Sequence, residues 1–249
     1  MLNLEHVTLT YSSDRGNVTA LRDLTMQVGT GEFVAVLGPS GCGKSSLLRI
    51  ISGLIPLSSG VARFDQEQIK SPRPDVGIVF QQATLLPWKN VLDNVLVSIK
   101  ALGKPMSVYR PKAEELLKMV GLGDFMRHYP HELSGGMQQR VAIARALVHE
   151  PRMLLMDEPF AALDAMSREN MMIELQRIWL NTGTSVLFIT HSIQEAVFLA
   201  DRVVTLSGRP GQVIDELAID IPRPRTRDTL GAPDFLDKCA HLRNLFNVA

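Results

Sequence analysis

The stretch Phe33-Val34-Ala35-Val36-Leu37-Gly38-Pro39-Ser40-Gly41-Cys42-Gly43-Lys44-Ser45-Ser46 joins an apolar, β-branched run to a glycine-rich segment that fits G-x-x-x-x-G-K-[ST]. The pattern predicts a strand, a tight loop and then a helix that continues to Ile51. Glycines let such a loop fold closely around a polyphosphate, and the helix N-terminus behind it attracts negative charge. The stretch therefore predicts an α/β fold with a phosphate-binding loop at residues 38–45.

Similar apolar runs recur along the chain and are separated by helical patterns. The runs cover residues 76–80, 153–156, 186–189 and 203–206. Runs without polar alternation are typical of strands that are buried on both faces, as in a parallel sheet covered by helices. Residues 2–10 alternate instead, and with residues 24–28 they predict a partly solvated antiparallel sheet. The prediction is a mixed α/β core with an antiparallel β subdomain.

Two further segments stand apart from this core. Residues from about 86 to 150 contain helical patterns at 113–120 and 138–148 but no convincing strand, so they are predicted to form a helical insertion. From about residue 221 the composition changes to Ile-Pro-Arg-Pro-Arg, which is held extended by its prolines, before an amphipathic helix near 235–246. Residues 221–249 are therefore predicted to be a C-terminal appendage. With 249 residues and no internal repeat, the chain is expected to be a single domain.

The overall composition excludes several classes of function. Lys plus Arg and Asp plus Glu both number 26, so no global basic field recruits nucleic acid, and no nucleic-acid partner is expected. The first residues lack a signal-peptide pattern, and no apolar run approaches the roughly 18 residues that span a bilayer. Cys42 and Cys239 lack metal-ligand spacing, which favours a reducing compartment over a disulfide framework or a zinc site. A soluble, cytoplasmic protein is expected.

The phosphate-binding loop is accompanied by an acidic strand end. Lys44 is expected to reach the β- and γ-phosphates of a nucleotide, and the Ser45 hydroxyl to ligate Mg²⁺. The run 153–156 delivers Asp157 and Glu158 at its end, where open α/β sheets place their ligands. Asp157 suits the Mg²⁺ shell, and Glu158 suits the orientation or deprotonation of an attacking water. Strands that merely end in solvated acids are common, so the phosphate-binding loop is what favours the functional interpretation.

Cys42 occupies a variable position of the phosphate-binding loop. It lies beside positive charge and a helix N-terminus in the sequence, an environment that raises the reactivity of a thiol. We therefore expect a thiol that alkylating reagents reach and that a bound nucleotide protects. No catalytic role is implied.

Leu133-Ser134-Gly135-Gly136-Met137-Gln138-Gln139-Arg140 resembles, across its full length, the signature sequence of ATP-binding cassettes. Ser134 is a good N-cap residue, and Gly135 and Gly136 let a phosphate approach the first N–H groups of the helix that follows. A capped helix with a permissive start explains the same residues without a ligand. In the family, this helix end contacts the γ-phosphate bound by the other subunit. The resemblance therefore implies a dimer with two ATP molecules held between the copies.

The resemblance covers essentially the whole chain and extends to residues near the nucleotide. Tyr11 matches the aromatic residue that stacks on adenine, although an ordinary tyrosine at a strand end gives the same sequence. Gln81 matches the glutamine that touches Mg²⁺ and the attacking water, and the family pattern favours it over the adjacent Gln82. By the same resemblance, residues 38–46 bind the nucleotide phosphates, with ATP and Mg²⁺ as the ligands.

Two more positions match residues that act across or beside the nucleotide. Asp164 matches the acidic residue that crosses the dimer interface, and it also suits the N-cap of a helix at 165–180. His191 matches the histidine that contacts the γ-phosphate and keeps Glu158 and the water in register. A lone histidine is usually structural, but this one follows a strand, and Ser192 after it opens another helix.

Residues 82–95 and the Ile-Pro-Arg-Pro-Arg stretch look like the ATPase subunits of importers for nitrate, sulfonates and taurine. The resemblance implies that residues 84–94 receive a coupling helix of membrane permease subunits, while a separate extracytoplasmic protein binds the solute. It also implies a peripheral position on the cytoplasmic face of the inner membrane. An exposed loop with Trp88 packed beneath it gives the same local sequence.

Other classes of protein share parts of the pattern. Soluble cassette ATPases with mechanical roles in DNA repair or translation share every catalytic residue, but they usually carry long heptad insertions or two cassettes in one chain. A phosphate-loop kinase does not explain residues 133–140, and Pro87-Trp88 favours import over export. The sequence is thus expected to encode a P-loop nucleotide hydrolase with a RecA-like core, and nothing in it identifies the solute.

Overall fold

The predicted apolar strands are present in a computed structural model, which describes residues 1–13 and 16–247. The chain divides into two units. The first comprises Met1–Arg73 together with the chain from Ser185 onward, and the second comprises Pro74–Thr184. The strands are β1 (Leu2–Ser13), β2 (Gly16–Val28), β3 (Phe33–Leu37), β4 (Ser59–Phe64), β5 (Glu67–Gln68), β6 (Val76–Val79), β7 (Met153–Asp157), β8 (Ser185–Thr190), β9 (Arg202–Leu206) and β10 (Val213–Ala218).

The helices lie mainly in the second unit. In chain order they are α1 (Lys44–Ile51), α2 (Val91–Val95), α3 (Val97–Ala101), α4 (Met106–Met119), α5 (Gly135–Leu147), α6 (Ala165–Thr182), α7 (Ile193–Leu199) and α8 (Pro233–Asn247). Short 3-10 helices occur at Gly123–Phe125, Pro130–Glu132 and Arg227–Gly231. Among the described residues, no helix has both the length and the apolar character needed to cross a membrane.

An antiparallel sheet in the first unit has the strand order β2-β1-β4-β5. Leu2 of β1 pairs with Val28 of β2 on one side and with Phe64 of β4 on the other. The alternating apolar residues of β1 are buried, which confirms the predicted antiparallel subdomain. The prediction for β2 began only at residue 24, whereas the strand begins at Gly16, and β4 and β5 were not predicted.

A second sheet in this unit has the order β10-β9-β3-β8. β3 runs parallel to β8 and to β9, whereas β10 is antiparallel to β9, so the predicted mixed sheet is confirmed. Every residue of β3 is buried, as expected for a central strand. Leu37 at the end of β3 pairs with Thr190 at the end of β8. Residues that follow these two strands therefore emerge at the same edge of the sheet.

The second unit joins a pair of parallel strands to a group of helices. β6 and β7 are in parallel register, with Val79 opposite Met156. Residues 86–150 contain helices and no strand, as the sequence predicts. Helix α4 begins at Met106, earlier than predicted, and continues through Pro111. Helix α5 supplies a buried face that includes Val141, Ala142 and Ile143, so it packs in the centre of this unit.

The C-terminal appendage belongs to the first unit. Helix α8 contacts α7, and Phe235, Cys239 and Leu242 on one of its faces are buried. Lys238 of α8 forms an ion pair with Asp220 at 2.6 Å. The predicted amphipathic helix near 235–246 is therefore present and packed against the unit that contains the phosphate-binding loop.

Candidate functional site

The phosphate-binding loop connects β3 to α1. Gly41 and Gly43 have φ angles of 81° and 103°, in the region that favours glycine. A side chain at Gly43 would also meet the carbonyl oxygen of Ala20 at 2.7 Å and a methyl group of Leu21 at 2.8 Å. Position 43 therefore needs glycine both for the backbone conformation of the loop and for its close packing on β2.

Lys44 lies within this loop. Its side chain is 5% exposed, and Nζ donates hydrogen bonds to the carbonyl oxygens of Gly38 at 2.8 Å and Pro39 at 3.0 Å. These bonds fix a positive charge among the backbone groups that precede α1. Because the helix N-terminus adds partial positive charge at the same place, the arrangement suits a phosphate group.

The side chain of Cys42 is buried, with 1% of its surface exposed. A side-chain carbon at Gly38 would come within 2.8 Å of its sulfur, and one at Gly211 would collide with its carbonyl oxygen. Because buried thiols are inert, this burial argues against the predicted alkylation, which labelling of the thiol with and without nucleotide tests. The sequence placed Cys42 beside positive charge but did not reveal how closely these two glycines pack around it.

The first turn of α1 carries the hydroxyl residues of the predicted site. Ser45 is exposed there, and Ser46 lies 3.1 Å from the phenol oxygen of Tyr11 in a hydrogen bond between their hydroxyl groups. Tyr11 is 39% exposed. The structure thus brings the predicted adenine-stacking residue to the helix that follows the phosphate-binding loop, and leaves it exposed.

His191 directly follows β8. This strand pairs with β3, which leads into the phosphate-binding loop. Adjacent strands lie about 4.8 Å apart, so His191 and Gly38 emerge as neighbours at one sheet edge. The turn that carries His191 is held by Thr190, whose hydroxyl donates to the carboxylate of Glu195 at 2.6 Å and accepts from the N–H of Ser192 at 3.0 Å. His191 itself is exposed.

Asp157 and Glu158 lie at the carboxyl end of β7 in the second unit and are both half-buried. Glu158 has a φ of 44°, an uncommon conformation for a residue other than glycine. Its carbonyl oxygen accepts a hydrogen bond from the N–H of Ala161 at 3.1 Å. Residues held in such backbone conformations cluster at functional sites, so this tight turn supports the prediction that Glu158 is a functional carboxylate.

Gln81 is exposed just beyond β6, whose end is level with that of β7. The backbone before it is fixed by Gln139 of α5, which is 4% exposed and donates to the carbonyl oxygen of Phe80 at 3.2 Å. The backbone after it is fixed by Arg145 of α5, which donates to the carbonyl oxygen of Ala83 at 2.7 Å. The helix that begins at the signature sequence therefore holds the Gln81 loop from both sides.

The signature sequence forms the start of α5. Ser134 is its N-cap, and the hydroxyl oxygen accepts a hydrogen bond from the N–H of Met137 at 3.3 Å, as predicted. A side-chain carbon at Gly135 would meet no atom within 4 Å, and one at Gly136 would meet only a methyl group of Leu163 at 3.8 Å. Neither glycine has a positive φ. The fold of this unit therefore gives no reason for glycine at either position.

Asp164 is the N-cap of α6, where Oδ1 accepts a hydrogen bond from the N–H of Ser167 at 3.0 Å. Hydrogen bonds from the hydroxyl and the N–H of Ser167 lower the pKa of Asp164 below its ordinary value. The capping role foreseen for Asp164 is therefore present. Asp164 and the signature residues 134–136 line one surface cavity of about 330 Å³.

The segment after Gln81 forms an exposed loop that ends at α2. Asn94, which is fully buried, donates to the carbonyl oxygens of Leu86 and Lys89 at 3.1 and 2.9 Å, and accepts from the N–H of Leu86 at 2.7 Å. Trp88 projects from this loop and is 71% exposed. The alternative in which the tryptophan packs beneath the loop is wrong.

Several residues that shape these loops were not predicted from the sequence. Gln139, Arg145 and Asn94 each bind backbone carbonyls of the segment 80–90. The sequence feature that could have identified them is a polar residue on the buried side of a predicted helix, because a buried polar group needs a specific partner. The partner itself is distant in sequence and is visible only in the structure.

Comparison with known proteins agrees with these motifs. A model of the ABC transporter family matches residues 21–161. An uncharacterized ABC transporter ATP-binding protein from Methanocaldococcus jannaschii is 45% identical over 98% of this chain and 90% of its own length. The taurine import ATP-binding protein TauB from Rhizobium johnstonii is 46% identical over 90% of this chain and 86% of its own length.

Solved structures show the same fold. One is a dimeric post-hydrolysis state of an ATP-binding cassette bound to ADP and Pi. It has a TM-score of 0.76 and 35% sequence identity, and covers 88% of this chain and 99% of its own. The match confirms the predicted P-loop nucleotide hydrolase fold.

Proposed function

Since this chain belongs to the ABC transporter family, we propose that it is the ATP-hydrolysing subunit of an importer for a small sulfonate such as taurine. The chain is an ATP hydrolase. The import proposal is carried by a group of relatives that are named taurine import ATP-binding protein. Three of them are 44%, 46% and 47% identical to this chain, over 88%, 90% and 81% of its length respectively. The proposed location is peripheral, on the cytoplasmic face of the membrane that holds the permease subunits.

The proposed active form is a pair of copies. The similar solved cassettes are dimers. Gly135 and Gly136 are not required by backbone conformation or by packing within their own unit, so the lack of side chains there serves the approach of another group. The N-terminus of α5, whose first N–H groups have no partner within the helix, suits a phosphate. We propose that this group is the γ-phosphate of ATP bound by the second copy, with Asp164 at the same interface.

The proposed hydrolytic step uses few side chains. Lys44 and the backbone of residues 38–46 bind the nucleotide phosphates, and Tyr11 stacks on the adenine. Glu158 orients or deprotonates the water that attacks the γ-phosphate, so that the phosphorus–oxygen bond to ADP breaks and inorganic phosphate leaves. His191 contacts the γ-phosphate and keeps Glu158 and this water in register. The turn fixed by Thr190 and Glu195 supports this role, because it limits the freedom of the histidine.

The oxygen donors in this chain fit a magnesium ion. Ser45 offers a hydroxyl on the exposed first turn of α1, Gln81 an exposed side-chain amide and Asp157 a half-buried carboxylate. Oxygen ligands of these kinds, completed by phosphate oxygens and water, are what Mg²⁺ prefers. When bound, the ion neutralises charge that develops on the phosphates. We propose Ser45, Gln81 and Asp157 as the residues that hold it.

The proposed contact with the permease is the loop that carries Trp88. This loop is held rigid by Asn94 and Arg145, yet it exposes a large aromatic side chain. An exposed aromatic on a fixed loop is typical of a contact for another protein. Because Arg145 and Gln139 also hold the backbone beside Gln81, a partner that moves this loop can influence the predicted water-contacting residue. A separate extracytoplasmic binding protein is proposed to deliver the solute to the permease.

The import proposal is tested by reconstituting the chain with its permease in liposomes that contain ATP, and adding the binding protein with radiolabelled taurine. We expect taurine to accumulate and to stimulate ATP hydrolysis. Trp88→Ala should weaken retention on the permease, whereas Leu180→Ala, which shortens another exposed apolar side chain of the same unit, should not. Accumulation of nitrate but not of sulfonates would overturn the choice of solute, and hydrolysis without any solute uptake would overturn import.

A further inference from the structure

The C-terminal appendage buries an arginine with an unusual set of partners. Arg225 is 1% exposed, and its guanidinium group donates hydrogen bonds to several backbone carbonyls. Nη1 donates to Val197, Phe198 and Ala200 at 2.9, 2.9 and 2.8 Å. Nη2 and Nε donate to Ile219 and Ile221 at distances between 3.0 and 3.2 Å. Burying a charged group in this way is costly unless its hydrogen bonds are made.

These acceptors belong largely to one end of α7. The last four carbonyls of a helix lack partners within it. For α7 they are those of residues 197–200, because the N–H of Ala200 makes the last helical bond, to Ala196. Arg225 bonds three of them, and Arg223 donates to the fourth, on Leu199. Together the two guanidinium groups satisfy this helix end, which is too buried to be solvated by water. We call this arrangement the guanidinium clamp.

The opposite end of α7 carries the predicted catalytic histidine. Ser192 caps the helix and His191 immediately precedes it. Helix α7 spans only Ile193–Leu199, and helices this short are unstable without caps and packing. The position of its N-terminal turn, and of the residue before it, therefore depends on the interactions that fix the helix as a whole.

The clamp is also connected to the strand that leads into the phosphate-binding loop. Arg223 forms an ion pair with Asp201 at 3.0 Å. The other carboxylate oxygen of Asp201 accepts a hydrogen bond from the N–H of Phe33, the first residue of β3, at 2.9 Å. The appendage therefore fixes α7 relative to β3. The residues that follow β3 and precede α7 are Gly38 and His191, which emerge at the same sheet edge.

We propose that the guanidinium clamp makes Arg225 and Arg223 positioning residues for ATP hydrolysis, because they fix α7 and thereby the orientation of His191 toward the γ-phosphate. The C-terminal appendage then serves the catalytic cycle as well as the stability of the fold. This inference rests on the role proposed above for His191 but is independent of the transported solute.

The test is steady-state ATP hydrolysis by the purified chain, with kcat and KM measured for wild type, Arg225→Gln, Arg225→Lys, His191→Ala and the His191→Ala/Arg225→Gln double variant. A misplacement of about 1 Å can cost up to about a hundredfold in rate, so we expect Arg225→Gln to lower kcat by about tenfold or more. KM for ATP should stay within about twofold of wild type, because His191 acts mainly in the chemical step. Arg225→Lys, which keeps the charge and some donors, should restore part of kcat.

The double variant separates positioning from stability. If Arg225 acts through His191, its replacement in the His191→Ala background should change kcat by no more than about twofold. Enzyme is used at a concentration that resolves the residual rate of His191→Ala. Lys238→Ala, which removes the ion pair to Asp220 but leaves the clamp intact, is the matched control and should keep the wild-type kcat.

Several results would overturn the inference. They are an unchanged kcat in Arg225→Gln, an equal loss in both backgrounds, or a wild-type kcat in His191→Ala. Should Arg225→Gln fail to fold, Arg223→Gln takes its place, because it removes the contacts to Leu199 and Asp201 and leaves Arg225 in position. All these assays measure ATP hydrolysis by the isolated chain. A result that overturns the positioning role of Arg225 therefore leaves the import proposal standing, and a negative transport assay leaves the positioning role untouched.

Discussion

Glu158→Gln should reduce the rate of ATP hydrolysis by about a hundredfold to ten-thousandfold, the range expected when a general base is lost. The amide has the same shape as the carboxylate, so the unusual backbone conformation at position 158 is retained. It cannot accept a proton from the attacking water, and it orients that water more weakly. The expected signature is a low kcat with ATP binding preserved. Phosphate release under saturating ATP, together with equilibrium binding of a fluorescent ATP analogue, measures both quantities.

A matched control for this variant is Glu115→Gln, which neutralises an exposed carboxylate on α4 in the same unit. It should hydrolyse ATP at the wild-type rate. If Glu158→Gln also hydrolyses at the wild-type rate, then Glu158 is not the base and the assignment must move to another group. If Glu158→Gln loses ATP binding as well, then the carboxylate supports the nucleotide site rather than the chemical step.

Lys44→Ala is expected to have the second large effect on ATP hydrolysis. It acts by weakening phosphate binding and not by impairing activation of the attacking water. The lysine charge is held within the loop by hydrogen bonds to Gly38 and Pro39, so its removal leaves the β- and γ-phosphates without this cation. Losing one preorganised group that stabilises the transferring phosphate typically costs about a hundredfold to a thousandfold in rate. ATP binding should weaken as well, since Lys44 contacts the phosphates in the ground state. Titration with the fluorescent analogue and phosphate-release assays check both effects.

The control for Lys44→Ala is Lys100→Ala, which removes an exposed lysine of α3. Thermal unfolding of both variants distinguishes a binding defect from a folding defect, because Lys44 also holds two carbonyls of its own loop. Wild-type affinity and turnover in a folded Lys44→Ala variant would contradict the assignment of the phosphate-binding loop.

The parts of the fold that sequence predicts well are those with a strong local pattern. β3 is a continuous apolar run because every one of its residues is buried, and no alternation with solvent is present to obscure it. β10 was missed for the opposite reason. Within the described residues its single pairing partner is β9, its residues alternate between half-buried and exposed, and Ile214 is 44% exposed. Such an edge strand resembles a loop in sequence, and only its pairing partner defines it.

The candidate site likewise contains residues that a local sequence pattern predicts and residues that no such pattern predicts. Gly43 and Ser134 lie in contiguous motifs, and their conformational and capping roles follow from residue type and spacing. The prediction for Glu158 rests on the rule that open α/β sheets place their ligands at the carboxyl ends of strands. The prediction for His191 rests on the resemblance to the cassette family and on its position after a strand. Arg225 had no such signal. Its partners at residues 197–200 are distant in sequence, so the Ile-Pro-Arg-Pro-Arg stretch indicated an extended appendage and a likeness to importer ATPases, but no buried guanidinium group.

In the proposed cycle, ATP joins two copies of the chain through the signature sequence. Sedimentation of Glu158→Gln, with and without Mg-ATP, tests it most directly when compared with the Glu158→Gln/Gly135→Asp double variant. A side chain at position 135 meets no atom of its own unit, so the double variant should fold, but its carboxylate repels an incoming phosphate. We predict an ATP-dependent dimer for Glu158→Gln and a monomer for the double variant. Monomers in both cases, or dimers that form equally well in both, would contradict the account.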